Sequence, residues 1–393
     1  MAVTNTPGVY VEEFSRFPPS VAEADPSIPA FIGYTEKAKD IEDDDLLNKP
    51  HPVSSLLDYE KYYGKSDQQF FLLYYAMMIY FANGGGRCYV ICAGKDPSQI
   101  SKQDFINGLD ATDSIEDMHL LLFPEAVLLP GLELYDVQRE ALNRSARLRN
   151  RFCILDLKPA ADTPSHSTVV NEFRNNIGTA NLMFGAAYTP HLITNINGRD
   201  ITIPPSAAAA GAYCTIDRDR GVWKAPANIS LSFVKGLLYT ITETEQQTLN
   251  VDTNRGISVN VIRHFTGKGF LIWGARTLAG NDNEWRYVSV RRLFNMVEES
   301  VKNSTSWVVF EPNDANTWVR VKAMIENYLT LKWRSGALMG ATTREAFFVK
   351  VGLNETMTSL DILNGNLIVE IGMAAVRPAE FIILRFSHKV QTS

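Results

Sequence analysis

The chain has 393 residues, 45% of them hydrophobic and 21% charged, with a formal net charge of −6. That apolar content supports large buried cores and excludes global disorder, and the length suits two or three domains of roughly 100–200 residues each. The acidic balance excludes a protein held mainly to nucleic acid, because there is no basic field to displace the counterions of phosphate.

The first segment, MAVTNTPGVY, has neither the basic start nor the apolar run of a secretory leader, so the chain is expected to begin soluble in the cytoplasm. TPGVYVEEF, residues 6–14, alternates as a strand does. Pro18-Pro19 follow and exclude an immediate hairpin partner, since proline cannot donate to a ladder. A second strand is expected at Ala30 to Tyr34, then an acidic surface loop, IEDDDLLNKPHP, whose Asp43 to Asp45 lack the spacing and glycine of a calcium loop. Residues 54–82 read as helical up to the stop at Asn83-Gly84-Gly85-Gly86. Their most apolar stretch, FFLLYYAMMIYFA, is short of the roughly 20 residues that span a bilayer, so a buried helix is expected.

RCYVICAG is the next strand. Its Cys88 and Cys92 would stand about 13 Å apart along it, beyond disulfide reach. From Asp96 to about Arg199 helices and apolar strands alternate: ISKQDFINGLDATD, MHLLLFPE, ELYDVQREALNRSARLRN, RFCILDLK, STVVNEFRNNIG and LMFGAAYTPHLI. This α/β alternation predicts a parallel, doubly wound sheet covered on both faces. Residues 200–290 are rich in strand and turn signals. VRRLFNMVEESVKN then reads as a helix, SWVVFEPN as a buried strand, NTWVRVKAMIENYLTLKWRSG as a long amphipathic helix, AFFVKVG as a strand and LIVEIGMAAV as β-rich. PAEFIILRFSHKV alternates again as a terminal strand.

Signals for chemistry fail one after another. Gly64-Lys65-Ser66 ends like a phosphate loop, but the glycine required five positions earlier is Tyr59. NGGGR leads from helix to strand, the reverse of a dinucleotide site, and no G-x-S-x-G elbow is present. No CxxC or HExxH occurs, so the expectations are no catalytic residues, no cofactor and no metal. What remains is a strand at each end without an assigned partner. Such edges recruit strands from other chains, and head-to-tail exchange that does not close builds a helical filament. The alternative is that the two ends pair with each other inside one subunit.

The segments PGVYVEE, PPSAAAAGAYCTIDRDRGVWKAPAN, GFLIWGARTL, EWRYVSVRRLFNMVEESV, WVVFEPND, GALMGATTREAFFVKV and RPAEFIILRFSHKV resemble the tail sheath protein family of contractile phage tails and phage-tail-like injection particles. FANGGGRCYVI and the compact length are closer to the sheaths of extracellular contractile injection systems. Ala375 departs from the pattern, standing where members often carry proline.

The resemblance implies a sheath core of residues 25–95 and 200–379 facing an inner tube, an inserted outer α/β domain at 96–199, and arms at 1–24 and 380–393. In the family these arms cross to neighbouring subunits and complete a β-sheet there. Val9, Tyr10, Val11, Glu12, Phe381, Ile382, Ile383, Leu384 and Phe386 would be the arm strands. Arg291, Arg292, Glu298, Glu299, Lys322 and Lys332 are candidate charges for the tube or an interface. The implied function is a subunit that polymerises in a metastable extended state and contracts without nucleotide hydrolysis. The partners would be other copies of the chain, an inner tube protein, baseplate and terminal cap proteins and sister sheath proteins, with no nucleic acid and no membrane insertion. Assembly would take place in the bacterial cytoplasm, as part of a phage tail or of a tail-like particle released from the cell. The rival readings are a non-contractile tube or capsid subunit, and a subtilisin-like hydrolase, which fold likeness alone would not make an enzyme.

Overall fold

A computed structural model describes residues 20–66, 70–159 and 166–381. The described residues divide into two compact units, one of residues 23–299 and 375–381 and a smaller one of residues 20–22 and 300–374.

The larger unit opens with β1 (Pro29–Tyr34), β2 (His51–Val53), α1 (Leu56–Tyr63), α2 (Leu72–Ala82) and β3 (Cys88–Gly94). It continues through α3 (Lys102–Thr112), β4 (Leu120–Leu122), α4 (Glu133–Leu148), β5 (Phe152–Asp156), α5 (His166–Asn176) and β6 (Gly185–Thr189). Next come β7 (Leu192–Ile196), β8 (Arg199–Ile203), α6 (Ser206–Arg220), β9 (Ile229–Ser230) and β10 (Gly236–Leu237). It closes with α7 (Glu243–Asn250), β11 (Asn260–Phe265), β12 (Gly269–Ile272) and most of α8 (Val288–Ser304).

Nine strands form one sheet in the order β2-β3-β1-β4-β5-β6-β11-β12-β9. Its body from β3 to β11 is parallel, and antiparallel pairs finish both edges. The parallel strands are buried on both faces because alternate side chains feed two separate cores. Ile32, Ile91, Leu121 and Leu155 pack with Phe105 of α3, Val137 of α4 and Phe173 of α5. Phe31, Val90, Leu122 and Ile154 pack with Met77 of α2 and the Ala207–Ala210 run of α6. Gly211 lets α6 approach α2, since a Cβ there would lie 2.6 Å from the Tyr80 carbonyl oxygen.

Two buried carboxylates cap buried helices. Glu125 accepts the backbone N–H groups of Tyr34 and of Leu72 at the start of α2, and Asp156 accepts the Ser206 N–H at the start of α6, 2.8 Å away. Burial outweighs these hydrogen bonds and pushes both carboxyls up to about 7.

The doubly wound pattern is present, but it extends well beyond residues 96–199. β1 lies between β3 and β4, with Ala30 opposite both Tyr89 and Leu121, so the boundaries expected at 96 and 200 fall within continuous structure. The helix expected over 54–82 is two helices, broken after Tyr63 where Gly64 takes φ 81°. LMFGAAYTPHLI is split at Pro190 into strands of different sheets. SWVVFEPN is not a buried strand: Ser306–Val308 is a 3-10 turn, and Val309 and Phe310 are exposed.

The smaller unit contains α9 (Ala315–Arg334), α10 (Thr343–Ala346), β13 (Phe347–Lys350), α11 (Ser359–Leu363) and β14 (Glu370–Met373). Asp314 caps α9 through the N–H groups of Asn316 and Thr317. The apolar stripe of α9, with Val321, Met324, Ile325 and Leu329, is buried, as are Leu338, Val349 and Met357.

Candidate functional site

β13 and β14 form a two-stranded antiparallel sheet, with Phe347 opposite Met373 and Lys350 opposite Glu370. Its hydrogen-bond phase follows from Ala374, whose N–H donates to the Ala346 carbonyl at 2.8 Å. Bonded and non-bonded pairs alternate along an antiparallel ladder. Phe348/Gly372 and Lys350/Glu370 therefore bond to each other, while Val349 and Ile371 turn their backbone groups outward, as does Met373. The Phe347 N–H is taken by the Thr343 carbonyl. Among the described residues, no hydrogen bond joins the outward groups of Ile371 and Met373 to another strand. β14 thus presents an open edge in a sheet that is marginal with two strands.

The faces of this sheet differ. Val349 is buried on one, while Phe348 is 44% exposed on the other. The Phe348 ring lies over Gly372, where an added Cβ would come within 2.2 Å of it. An aromatic ring shielding a strand glycine in this way helps to pin the strand's register.

In the larger unit, Pro378-Ala379-Glu380 lie near the end of the described residues. The Glu380 carboxylate accepts from Arg276 Nη2 at 2.6 Å, Arg276 Nε at 2.9 Å, Asn250 Nδ2 at 3.1 Å and the Tyr287 hydroxyl at 3.3 Å. Burial raises the Glu380 carboxyl, but these bonds, led by Arg276, prevail and hold it below the ordinary value. Beside it lies an open groove of about 680 Å³, lined in part by Lys224, Arg263, Trp273, Tyr287 and Phe381.

The candidate charges do not behave as a surface set. Arg291 is buried against Trp285, its guanidinium 4.4 Å from the ring centroid, and donates to Asn295 and Glu298. Arg292 pairs with buried Asp217, donates to the Pro26 carbonyl at 2.9 Å and sits over Tyr213. Glu299 lies 2.8 Å from His119 Nε2 and accepts from Asn150. Lys332 is buried beside Tyr328. Arg291, Arg292, Glu299 and Lys332 are therefore buried and engaged inside the subunit rather than presented to solvent. Glu298 and Lys322 are half-buried.

Of the arm residues, Phe381 is 71% exposed and outside any strand. Val9, Tyr10, Val11, Glu12, Ile382, Ile383, Leu384 and Phe386 lie outside the described residues. Sequence reasoning missed Arg276, Asn250, Tyr287 and Glu380, as well as the open edge at Ile371 and Met373. The available signal was a charge embedded in each of two apolar motifs, WGARTL and RPAEF.

The buried polar groups fit structural roles. Asp156 and Ser206 form a helix cap, and His191 is buried with its basicity pushed down to about 4. The four cysteines are buried and free. Among the described residues no cluster of His, Cys, Asp or Glu is placed to hold a metal ion, and no helix is long and apolar enough to cross a membrane.

Residues 280–389 match the phage tail sheath C-terminal domain. Over 134 residues the chain is 27% identical to the tail sheath protein of Vibrio phage KVP40, a match covering 34% of this chain and 20% of that protein. The matched stretch is thus about a fifth of the phage protein's length. Likeness to solved structures is far more extensive. A chain of the anti-feeding prophage helical sheath in its contracted state is 34% identical with a TM-score of 0.77, over 98% of this chain and 100% of that one. A chain of the PVC sheath complex, an extracellular contractile injection system in its contracted state, is 34% identical with a TM-score of 0.75, over 99% of both chains.

Proposed function

This chain belongs to the contractile tail sheath family, and from that premise we propose that it builds its filament by strand exchange onto the β13–β14 sheet. The observation that carries this reading is the open edge at Ile371 and Met373. Residues 6–14 of one neighbour and the C-terminal arm of another supply the missing strands. Main-chain hydrogen bonds give the affinity, and side-chain alternation sets the register. Because giver and receiver surfaces differ, the contact is head-to-tail and propagates as a helix.

The subunit works as a spring loaded during assembly. Copies polymerise around an inner tube in an extended lattice that is kinetically trapped rather than most stable. Contraction moves subunits largely as rigid bodies while the arms keep neighbours joined. The large parallel sheet and its two cores supply the stiffness such motion needs. The energy comes from lattice contacts, so no nucleotide enters the cycle. Partners are other copies, the tube, the baseplate and the terminal cap, in a phage tail or tail-like injection particle assembled in the bacterial cytoplasm.

The test is arm removal. Deleting residues 1–20 is expected to leave a folded monomer with an unchanged thermal melt and no filaments by negative-stain microscopy. Loss of folding would place that segment in its own subunit's core, and normal filaments would remove strand exchange from the mechanism.

A further inference from the structure

We propose that Arg276 and Glu380 form a root clamp, which fixes the point and direction at which the C-terminal arm leaves the subunit and passes its tension into β6 and β11. The inference rests on the strand-exchange reading for its purpose, but its geometry stands without it.

Glu380 is the centre of four donor groups on three side chains, Arg276, Asn250 and Tyr287. Its pairing with Arg276 is two-pronged, through Nε and Nη2, and charge-assisted bonds of this kind are roughly twice as strong as neutral ones. Arg276 is prearranged to receive it. The guanidinium is almost wholly buried and also donates Nη1 to the Gly280 carbonyl at 3.0 Å, so its plane is set before Glu380 arrives.

The backbone of Arg276 is fastened just as firmly. Its N–H donates to Asn260 Oδ1 and its carbonyl accepts from Asn260 Nδ2, each at 2.8 Å. Asn260 is the first residue of β11, and the same amide nitrogen reaches the Ala187 carbonyl of β6 at 3.2 Å. A pull on Glu380 therefore runs through Arg276 and Asn260 into paired strands of the nine-stranded sheet. Without the clamp, tension would peel the segment after Pro378 away from the body one residue at a time. A buried ion pair is weak evidence for net stability, so its placement at the arm's exit points to positioning rather than to holding the core.

Spin labels on Phe381→Cys and Ile41→Cys, both exposed in the larger unit, read the exit direction in the isolated full chain; the native cysteines are all buried. The parent is expected to give one narrow distance distribution, and E380A one at least twice as wide. E380Q, which keeps an acceptor oxygen, should stay near the parent. Because E380A strands a buried guanidinium and can unfold the unit, the R276M/E380M double variant is measured beside it. It should melt like the parent yet give the wide distribution and need at least ten times more subunit to form filaments. A narrow distribution in the double variant, or filaments at the parent's concentration, overturns the clamp. Truncation after Phe381 separates the two ideas. If truncated subunits polymerise as the full chain does, strand exchange by this arm fails, and the label distances alone decide the clamp.

Discussion

Replacing Ile371 by proline attacks the open edge while sparing the sheet that carries it. Ile371 stands opposite Val349 in a non-bonded pair, so its N–H points away from β13 and the ladder loses nothing within the subunit. Ile371 and Met373 together offer two N–H groups and two carbonyls. At a net ~1 kcal/mol per hydrogen bond, a docked strand gains about 4 kcal/mol from the main chain, on the order of a thousandfold in affinity. Proline at 371 removes one donor, and its ring obstructs the incoming strand, so a loss of about 1–3 kcal/mol is expected. The concentration needed for filament growth should rise by about 10–100-fold. The monomer should lose only about 1–2 kcal/mol, from replacing the half-buried isoleucine side chain. Ile371→Ala bears that side-chain loss while keeping the N–H, and is the control. Filament onset is read by light scattering and pelleting against concentration, and monomer stability by thermal melts well below onset. If I371P grows filaments at the I371A concentration, the edge at β14 is not where neighbours attach.

Two further outcomes follow from buried charge. Asp217→Ala strands Arg292, which is 3% exposed, and should cost about 3–5 kcal/mol, whereas the D217L/R292M pair should recover most of that loss; a chemical-denaturation cycle with no coupling between the two sites would contradict this. Asp156 has a carboxyl raised to about 7, so the folded state holds a proton that the unfolded chain releases near 4. Its contribution is thus fully present below about 4 and is lost as pH rises through about 7. The stability of the parent relative to Asp156→Asn should fall across that window in urea melts at stepped pH. A difference that is flat or rises with pH would refute the assignment. Taking the difference cancels His191, whose lowered basicity acts in the opposite sense.

Much of the fold was legible because it is written locally. Apolar strands such as RCYVIC and FCILD, alternating with amphipathic helices, announce a parallel sheet covered on both faces. The motifs WGARTL, VRRLF and RPAEF announce the family, and in the structure residues of these motifs meet as contacts: Arg276 with Glu380, and Arg292 with the Asp217 of DRDRG. Strand order was another matter. β1 belongs between β3 and β4 because of hydrogen bonds to residues about sixty and ninety positions away, and an apolar strand does not name its neighbours.

The charges of α8 show the same division. Arg291, Arg292 and Glu299 stand on one helix and, with the family resemblance, read as candidate charges for the tube or an interface. Whether a charge is solvated depends on what packs over it, and here Phe184, Asp217 and His119 arrive from distant segments to meet Arg291, Arg292 and Glu299 in turn. The sequence by itself determined most of the elements of the large sheet and the kinship, since periodicity and motif wording are properties of neighbouring residues. Only the tertiary structure decided which edge stays open and which charges are buried, because hydrogen-bond partners and desolvation are set by chain segments that meet only on folding.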